Sequence, residues 1–126
     1  KANINVNITA VFTVKQLIEI ERIIKNNNNI IISIFAGRIA DTGIDPVPIM
    51  QNAVNQFKKF NNAEILWASP REVLNYYQAK KVGCHIITMQ PDLISKLKLY
   101  NKDLNKYSIE TSKMFFDDAK KANYKL

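Results

Sequence analysis

The sequence predicts an α/β fold: four consecutive β-strand–α-helix (βα) units, the C-terminal half of a parallel (β/α)8 TIM barrel, forming one segment over residues 1–126. Apolar strand-like runs alternate with capped helical segments, and connections this short mean βαβ units and a parallel sheet. The first strand is two-faced, with Asn5, Asn7 and Thr9 on one side and Ile4, Val6, Ile8 and Ala10 on the other. A polar row beneath the helices of an open, doubly wound sheet would be costly. The upper interior of a barrel, by contrast, is where reacting groups sit.

Each element has its own signal. Ile4 to Phe12 reads as the first strand. Thr13 opens a helix, Gln16 completes a capping box, and Asn26–Asn29 ends it. Leu17, Ile18, Ile20, Ile23 and Ile24 supply its apolar positions. Ile30 to Phe35 is a second strand, an apolar run interrupted by Ser33, as suits a strand covered on both faces. A loop is expected from Ala36 to Asp45, containing Gly37 and Gly43. Asp45 then caps a helix that has Pro46 in first position and runs to about Asn61.

Glu64 to Ala68 is the third strand, with Trp67 expected in the core. In Ser69-Pro70-Arg71-Glu72 the serine is the expected N-cap, proline sits first and glutamate closes the box. Gly83 is a left-handed cap for that helix. Cys84 to Met89 is the fourth strand, and Pro91–Lys98 and Ser108–Ala122 are closing helices, the last anchored to the body by Phe115 and Phe116.

Composition bounds the function. With 47% apolar and 23% charged residues, the chain has the profile of a globular protein able to build a core. No apolar run approaches the ~18–20 residues of a membrane helix, so no membrane association is expected. Nor does the N-terminus resemble a signal peptide. A single cysteine, Cys84, excludes an internal disulfide and fits a reducing, cytoplasmic setting. The net charge is +7, and eleven of the 18 Lys and Arg lie in Arg71–Leu126. They are scattered without interleaved aromatics, which favours a solvated basic surface over a nucleic-acid face.

The chain starts at Lys1, without an initiator methionine and almost directly with a strand pattern, so upstream sequence is expected. Four units would leave two open sheet edges and an uncovered inner face. Either a homo-oligomer or a missing N-terminal half is expected to cover them.

Four places put polar side chains at strand C-terminal ends: Asn7 and Thr9, Ser33 with Arg38, Ser69 with Arg71, and Thr88. Two arginines and capped helix starts suit an anionic ligand, because arginine grips oxyanions with paired hydrogen bonds. Each feature also has a structural reading: Ser69 as a cap, Arg71 in solvent, Asp41 paired with Arg38. Their shared location at strand ends balances the two readings. Gly37 and Gly43 form no phosphate-cradling loop. His85 begins a strand and suits a core or hydrogen-bonding role, while Cys84 beside it points to the opposite face, which argues against a Cys–His pair. No cluster has metal-ligand spacing, and no metal is expected.

Several motifs now coincide. Asn7-Ile8-Thr9 resembles the N-x-T strand of transaldolases, and Ser33 to Asp41 resembles their S-x-F-x-G-R-I-x-D motif. Ala68-Ser69-Pro70-Arg71 resembles their A-S-x-R turn, and Gly83 to Thr88 their last strand. The motifs come in family order over nearly the whole chain; Ile34 and Ala36 depart from the usual Pro and Val.

The resemblance implies a (β/α)8 barrel that transfers or cleaves a dihydroxyacetone unit of sugar phosphates through a Schiff base, without cofactor. It implies that Asn7 bonds the covalent intermediate, Thr9 holds a catalytic water, and Ser33 contacts substrate hydroxyls. Arg38, Ser69 and Arg71 would bind the phosphate. It also places the Schiff-base lysine on the strand preceding this chain's first, since Lys1 and Lys15 are poor substitutes. The chain then reads as strands five to eight. The competing readings are a non-catalytic sugar-phosphate-binding half-barrel and a basic nucleic-acid-binding α/β module.

Overall fold

The computed structural model describes residues 4–24 and 29–122. The expected stop at Asn26–Asn28, like Lys1, lies outside them. The chain divides into two compact units, Lys1–Ser95 and Lys96–Leu126.

The first unit contains β1 (Val6–Val11), α1 (Val14–Ile23), β2 (Ile30–Ile34), α2 (Ala36–Asp41), α3 (Val47–Phe57), β3 (Ala63–Trp67), α4 (Val73–Val82) and β4 (Ile86–Ile87). Helix α5 (Pro91–Lys96) runs up to its boundary. The sheet order is β1-β2-β3-β4, and every pairing is parallel. Crossovers between parallel strands are right-handed, so strands added always in one direction put every connecting helix on one face. A doubly wound sheet would instead reverse direction at a switch point. This order is the winding of a (β/α)8 barrel segment, as the two-faced first strand predicts.

The register separates the faces. Ile30, Ile32 and Ile34 stand beside Ala63, Ile65 and Trp67. These six form one buried cluster with Leu17 and Ile20 of α1, Met50, Ala53 and Phe57 of α3, and Ala79 and Val82 of α4. The opposite face carries Asn7, Ile31 and Glu64 in one row and Ser33, Leu66 and Ile86 in the next. Near the strand N-terminal ends this face opens into a polar cleft of about 400 Å³, lined by Asn5, Asn7, Ile31, Asn61 and Glu64 among others.

Local signals explain most boundaries. The α1 capping box forms: the Gln16 amide donates to Thr13 Oγ1 at 3.2 Å, and the Thr13 amide donates to Gln16 Oε1 at 3.0 Å. Gly83 takes φ +80°, the left-handed conformation that ends α4. Asp45 Oδ1 accepts from the Val47 amide at the start of α3.

Two expectations are corrected. The segment expected as a loop from Ala36 begins with α2, because the residue that lowers its helix propensity, Gly37, is required there by a neighbouring turn described below. The fourth strand is shorter than expected. The His85 amide donates to the Ile65 carbonyl at 3.0 Å, but the Ile65 amide donates to His85 Nδ1. A side chain thus closes the ladder where backbone pairing would have begun.

The second unit holds a 3₁₀ turn (Leu97–Leu99) and α6 (Leu104–Lys121). Asp103 caps α6 by accepting from the Lys106 amide at 2.8 Å, so the helix starts a turn earlier than the sequence suggested. Lys102 pairs with Glu110 and lies over the Tyr107 ring. Phe115 and Phe116, the expected anchors, both lie on α6. Among the described residues, no helix is long and apolar enough to cross a membrane.

The face assignment predicts unequal costs for adjacent residues. Ile32→Ala, on the helix-covered face, should cost about 2–5 kcal/mol in urea unfolding. Ile31→Ala, on the open face, should cost under about 1 kcal/mol. Equal costs would contradict the assignment.

Candidate functional site

Parallel strands deliver all their C-terminal ends to one edge of the sheet. Ser33 and the turns after β2 and β3 lie toward it. Asn7, expected at the end of its strand, is instead the second residue of β1 and lines the cleft at the N-terminal ends. Asn7 and Ser33 share the open face of β1 and β2. Ser33, only 3% exposed, donates from Oγ to Asn7 Oδ1 at 2.7 Å. That bond fixes the Asn7 amide plane and leaves its two N–H donors for another partner.

Thr9 is not brought into this pair. Ala10 has φ +57°, and the register slips between Ile8 and Val11, a bulge that inserts one residue. Val11 thereby becomes part of the core, while Thr9 is exposed. It lines a cleft of about 300 Å³ beside α1, with Ile8, Val11, Lys15 and Gln16. Among the described residues no hydrogen bond joins Thr9 to Asn7 or Ser33.

The turns after β2 and β3 interlock. The Gly37 amide donates to the Ala68 carbonyl at 3.2 Å. A Cβ on Gly37 would lie 1.5 Å from the Ser69 carbonyl oxygen, so only glycine allows the two backbones to approach. Ser69 itself has φ +57°, an uncommon conformation for a residue with a Cβ.

This contact displaces the expected cap. With the Ser69 backbone held against α2, the next helix starts later and is capped at Glu72. Asn75, a buried polar residue, supplies the acceptor: its Oδ1 takes the Arg71 amide at 2.7 Å and the Glu72 amide at 3.1 Å. These amides are therefore occupied, although the sequence suggested they would be free for a ligand.

The same interlock sets the charges. Asp41, one turn along α2, was expected opposite Arg38 but takes Arg71 instead. Arg71 donates from Nε to Oδ1 at 3.0 Å and from Nη2 to Oδ2 at 2.5 Å, with both side chains about half exposed. Arg38 lies with its guanidinium 5.5 Å from the centre of the Phe35 ring. Among the described residues no carboxylate pairs with it. Thr88 continues the edge beyond β4, its amide donating to the Trp67 carbonyl. The site thus offers one unpaired guanidinium and one whose outer edge is free, the chemistry of an oxyanion site.

Neither His85 nor Cys84 belongs to it. His85 Nδ1 is an acceptor in the strand ladder, and Cys84 Sγ donates to the Ile65 carbonyl at 3.1 Å. Burial pushes the Cys84 thiol above its ordinary pKa, with backbone hydrogen bonds opposing weakly. Sequence reasoning missed Asn75. Its only signal is an asparagine placed three residues after the capping position, and the displaced cap concealed that spacing.

The sequence profile of the Transaldolase/Fructose-6-phosphate aldolase family matches residues 1–126. The chain belongs to this family. A protein named Probable transaldolase from Thermoanaerobacter sp. (strain X514) is 29% identical over 127 residues, covering 100% of this chain and 55% of that protein. One of the same name from Nitrosopumilus maritimus (strain SCM1) is 30% identical over 96 residues, covering 75% and 41%. A 6-deoxy-6-sulfo-D-fructose transaldolase from Priestia aryabhattai is 34% identical over 89 residues, covering 70% and 38%. The chain therefore spans about half the length of the curated relatives it matches, or less. Within it, the transaldolase-like motifs after β2 and β3 are the two turns that interlock.

Two outcomes are expected. Gly37→Ala should force the turns apart and lower the melting temperature well beyond the several degrees that a loss of ~1 kcal/mol causes in a domain of this size. An unchanged melting curve would mean the contact is dispensable. Cys84 should alkylate slowly with iodoacetamide at neutral pH in the folded chain and rapidly in urea, read by intact mass.

Proposed function

We propose that this chain is the part of a transaldolase-like enzyme that grips the anionic head of a sugar phosphate and so positions the reacting carbon of a dihydroxyacetone unit. The observation carrying this reading is the interlocked pair of turns, which brings Asp41 and Arg71 together, with Arg38 on the same short helix as Asp41. Arg38, Ser69 and Arg71 hold the anion. Ser33 contacts substrate hydroxyls, Asn7 bonds the covalent intermediate through its free amide donors, and Thr9 holds water. A remote anion grip supplies binding energy that is used to orient the reacting bond.

The Schiff-base lysine lies outside this chain. Lys15 lines the cleft beside α1, and the open-face rows Asn7–Ile31–Glu64 and Ser33–Leu66–Ile86 contain no lysine. The same observation favours a second reading, a sugar-phosphate-binding half-barrel without chemistry of its own. In either case a polypeptide covers the open face and strand edges, either a second copy or an N-terminal half. The setting is cytoplasmic. One relative is named for a sulfonated sugar. Sulfonate and phosphate are both tetrahedral oxyanions, and both heads belong to the class this site accepts.

Arg38→Ala and Arg71→Ala should each weaken fructose 6-phosphate binding by about 10–100-fold in calorimetry, the value of a charge-assisted hydrogen bond. Binding unchanged in both variants would end the site assignment. Borohydride trapping with the same sugar phosphate, read by intact mass, should give no adduct on this chain alone. An adduct on one of its lysines would show that it carries the chemistry itself.

A further inference from the structure

We propose that Asn75 is a positioning residue for the anion grip: it fixes the main chain at Arg71 and so presents the Arg71 guanidinium to the ligand already oriented. The inference rests on the proposed role of Arg71 in holding the anionic head.

Asn75 is a buried polar residue, and both polar atoms of its carboxamide are engaged. Oδ1 accepts from the Arg71 amide at 2.7 Å and from the Glu72 amide at 3.1 Å, while Nδ2 donates to Gln78 Oε1 at 2.9 Å. A capping box explains only one of these bonds. In such a box the side chain three residues into the helix accepts from the amide of the capping residue, here Glu72. Arg71 precedes the cap, and its bond is the shorter of the two. Gln16 makes the same double acceptance at α1, from Phe12 and Thr13. The fold thus uses this geometry twice to pin the residue before a cap. After β1 that residue is aromatic; after β3 it is the arginine.

The consequence lies in what is held. A long side chain in solvent samples many rotamers, and gripping an anion costs it that freedom. Arg71 is about half exposed, yet it is tied at both ends. Its guanidinium donates to Asp41 and its amide to Asn75. The residues leading into it are fixed as well. Ser69 has φ +57° and meets Gly37, and Pro70 is buried with its φ set by the ring. Without the Asn75 acceptor the main chain between Pro70 and the cap would gain freedom, and the ligand would have to order the guanidinium itself. Oδ1 spends both lone pairs on main-chain amides, so Asn75 acts through Arg71 and does not touch the ligand.

The test measures fructose 6-phosphate binding by calorimetry on the full chain. Asn75→Ala should weaken binding by about 3–10-fold, the value of one hydrogen bond. In the Arg71→Ala background the same substitution should weaken it no further, because the two residues act as a unit. Asn75→Gln should bind within about twofold of the unmodified chain, since a glutamine at this helix position serves both amides in α1. Unchanged binding in Asn75→Ala, with Arg71→Ala weakened, overturns the inference and leaves the anion grip standing. An equal loss in both backgrounds overturns it too, because the effect would then not pass through Arg71. If Asn75→Ala does not fold by circular dichroism, Asn75→Ser, which has a shorter polar side chain, is read in its place. If Arg71→Ala binds as tightly as the unmodified chain, the anion grip itself fails and this inference fails with it.

Discussion

The geometry of the turns after β2 and β3 depends on one contact, the approach of the Gly37 backbone to the Ser69 carbonyl. It joins two turns that are 32 residues apart in sequence but follow neighbouring strands of the sheet. The contact sets where α2 starts, holds Ser69 in a left-handed conformation and delays the cap of α4. It also brings a carboxylate on one turn within reach of a guanidinium on the other. Packing of this kind leaves no slack: neither turn can move without the other.

The sheet beneath supplies the frame. Apolar residues at alternate positions of β2 and β3 face the helices, and the intervening positions face the open side. The Asn7–Ser33 bond crosses between two strands on that open side. Ser33 is nearly buried there, so its hydroxyl needs a protein acceptor, and the Asn7 carboxamide oxygen supplies it.

Fold class was legible because it rests on periodicity, which survives tertiary context. The two-faced first strand and the strand–helix alternation were enough to favour a barrel segment, and the sequential strand order agrees. The Thr13–Gln16 box and the Gly83 cap were legible for a similar reason, since caps are made by neighbours in sequence. What stayed hidden depends on residues far apart. Helix α2 was concealed because its glycine answers to Ser69 and not to helix propensity. Ser69 looked like a cap because the rule for caps cannot anticipate a distant backbone pressing on it. The partner of Asp41 was misassigned to Arg38, its sequence neighbour, when Arg71 arrives from the next turn in space. The position of Thr9 was obscured by the bulge at Ala10, which breaks the alternation on which its face was inferred.

The strand order has one more consequence, for how such a sheet grows. Each strand pairs only with its neighbours in sequence, so every loop that must close is short and the entropy of closing it is modest. In such a run each unit leans on the one before and the one after, so the pairings of the interior strands do not depend on what lies beyond the outer ones. The number of units is then set not by the pairings but by closure, since strand tilt and stagger must suit the strand count for the two edges of a barrel to meet.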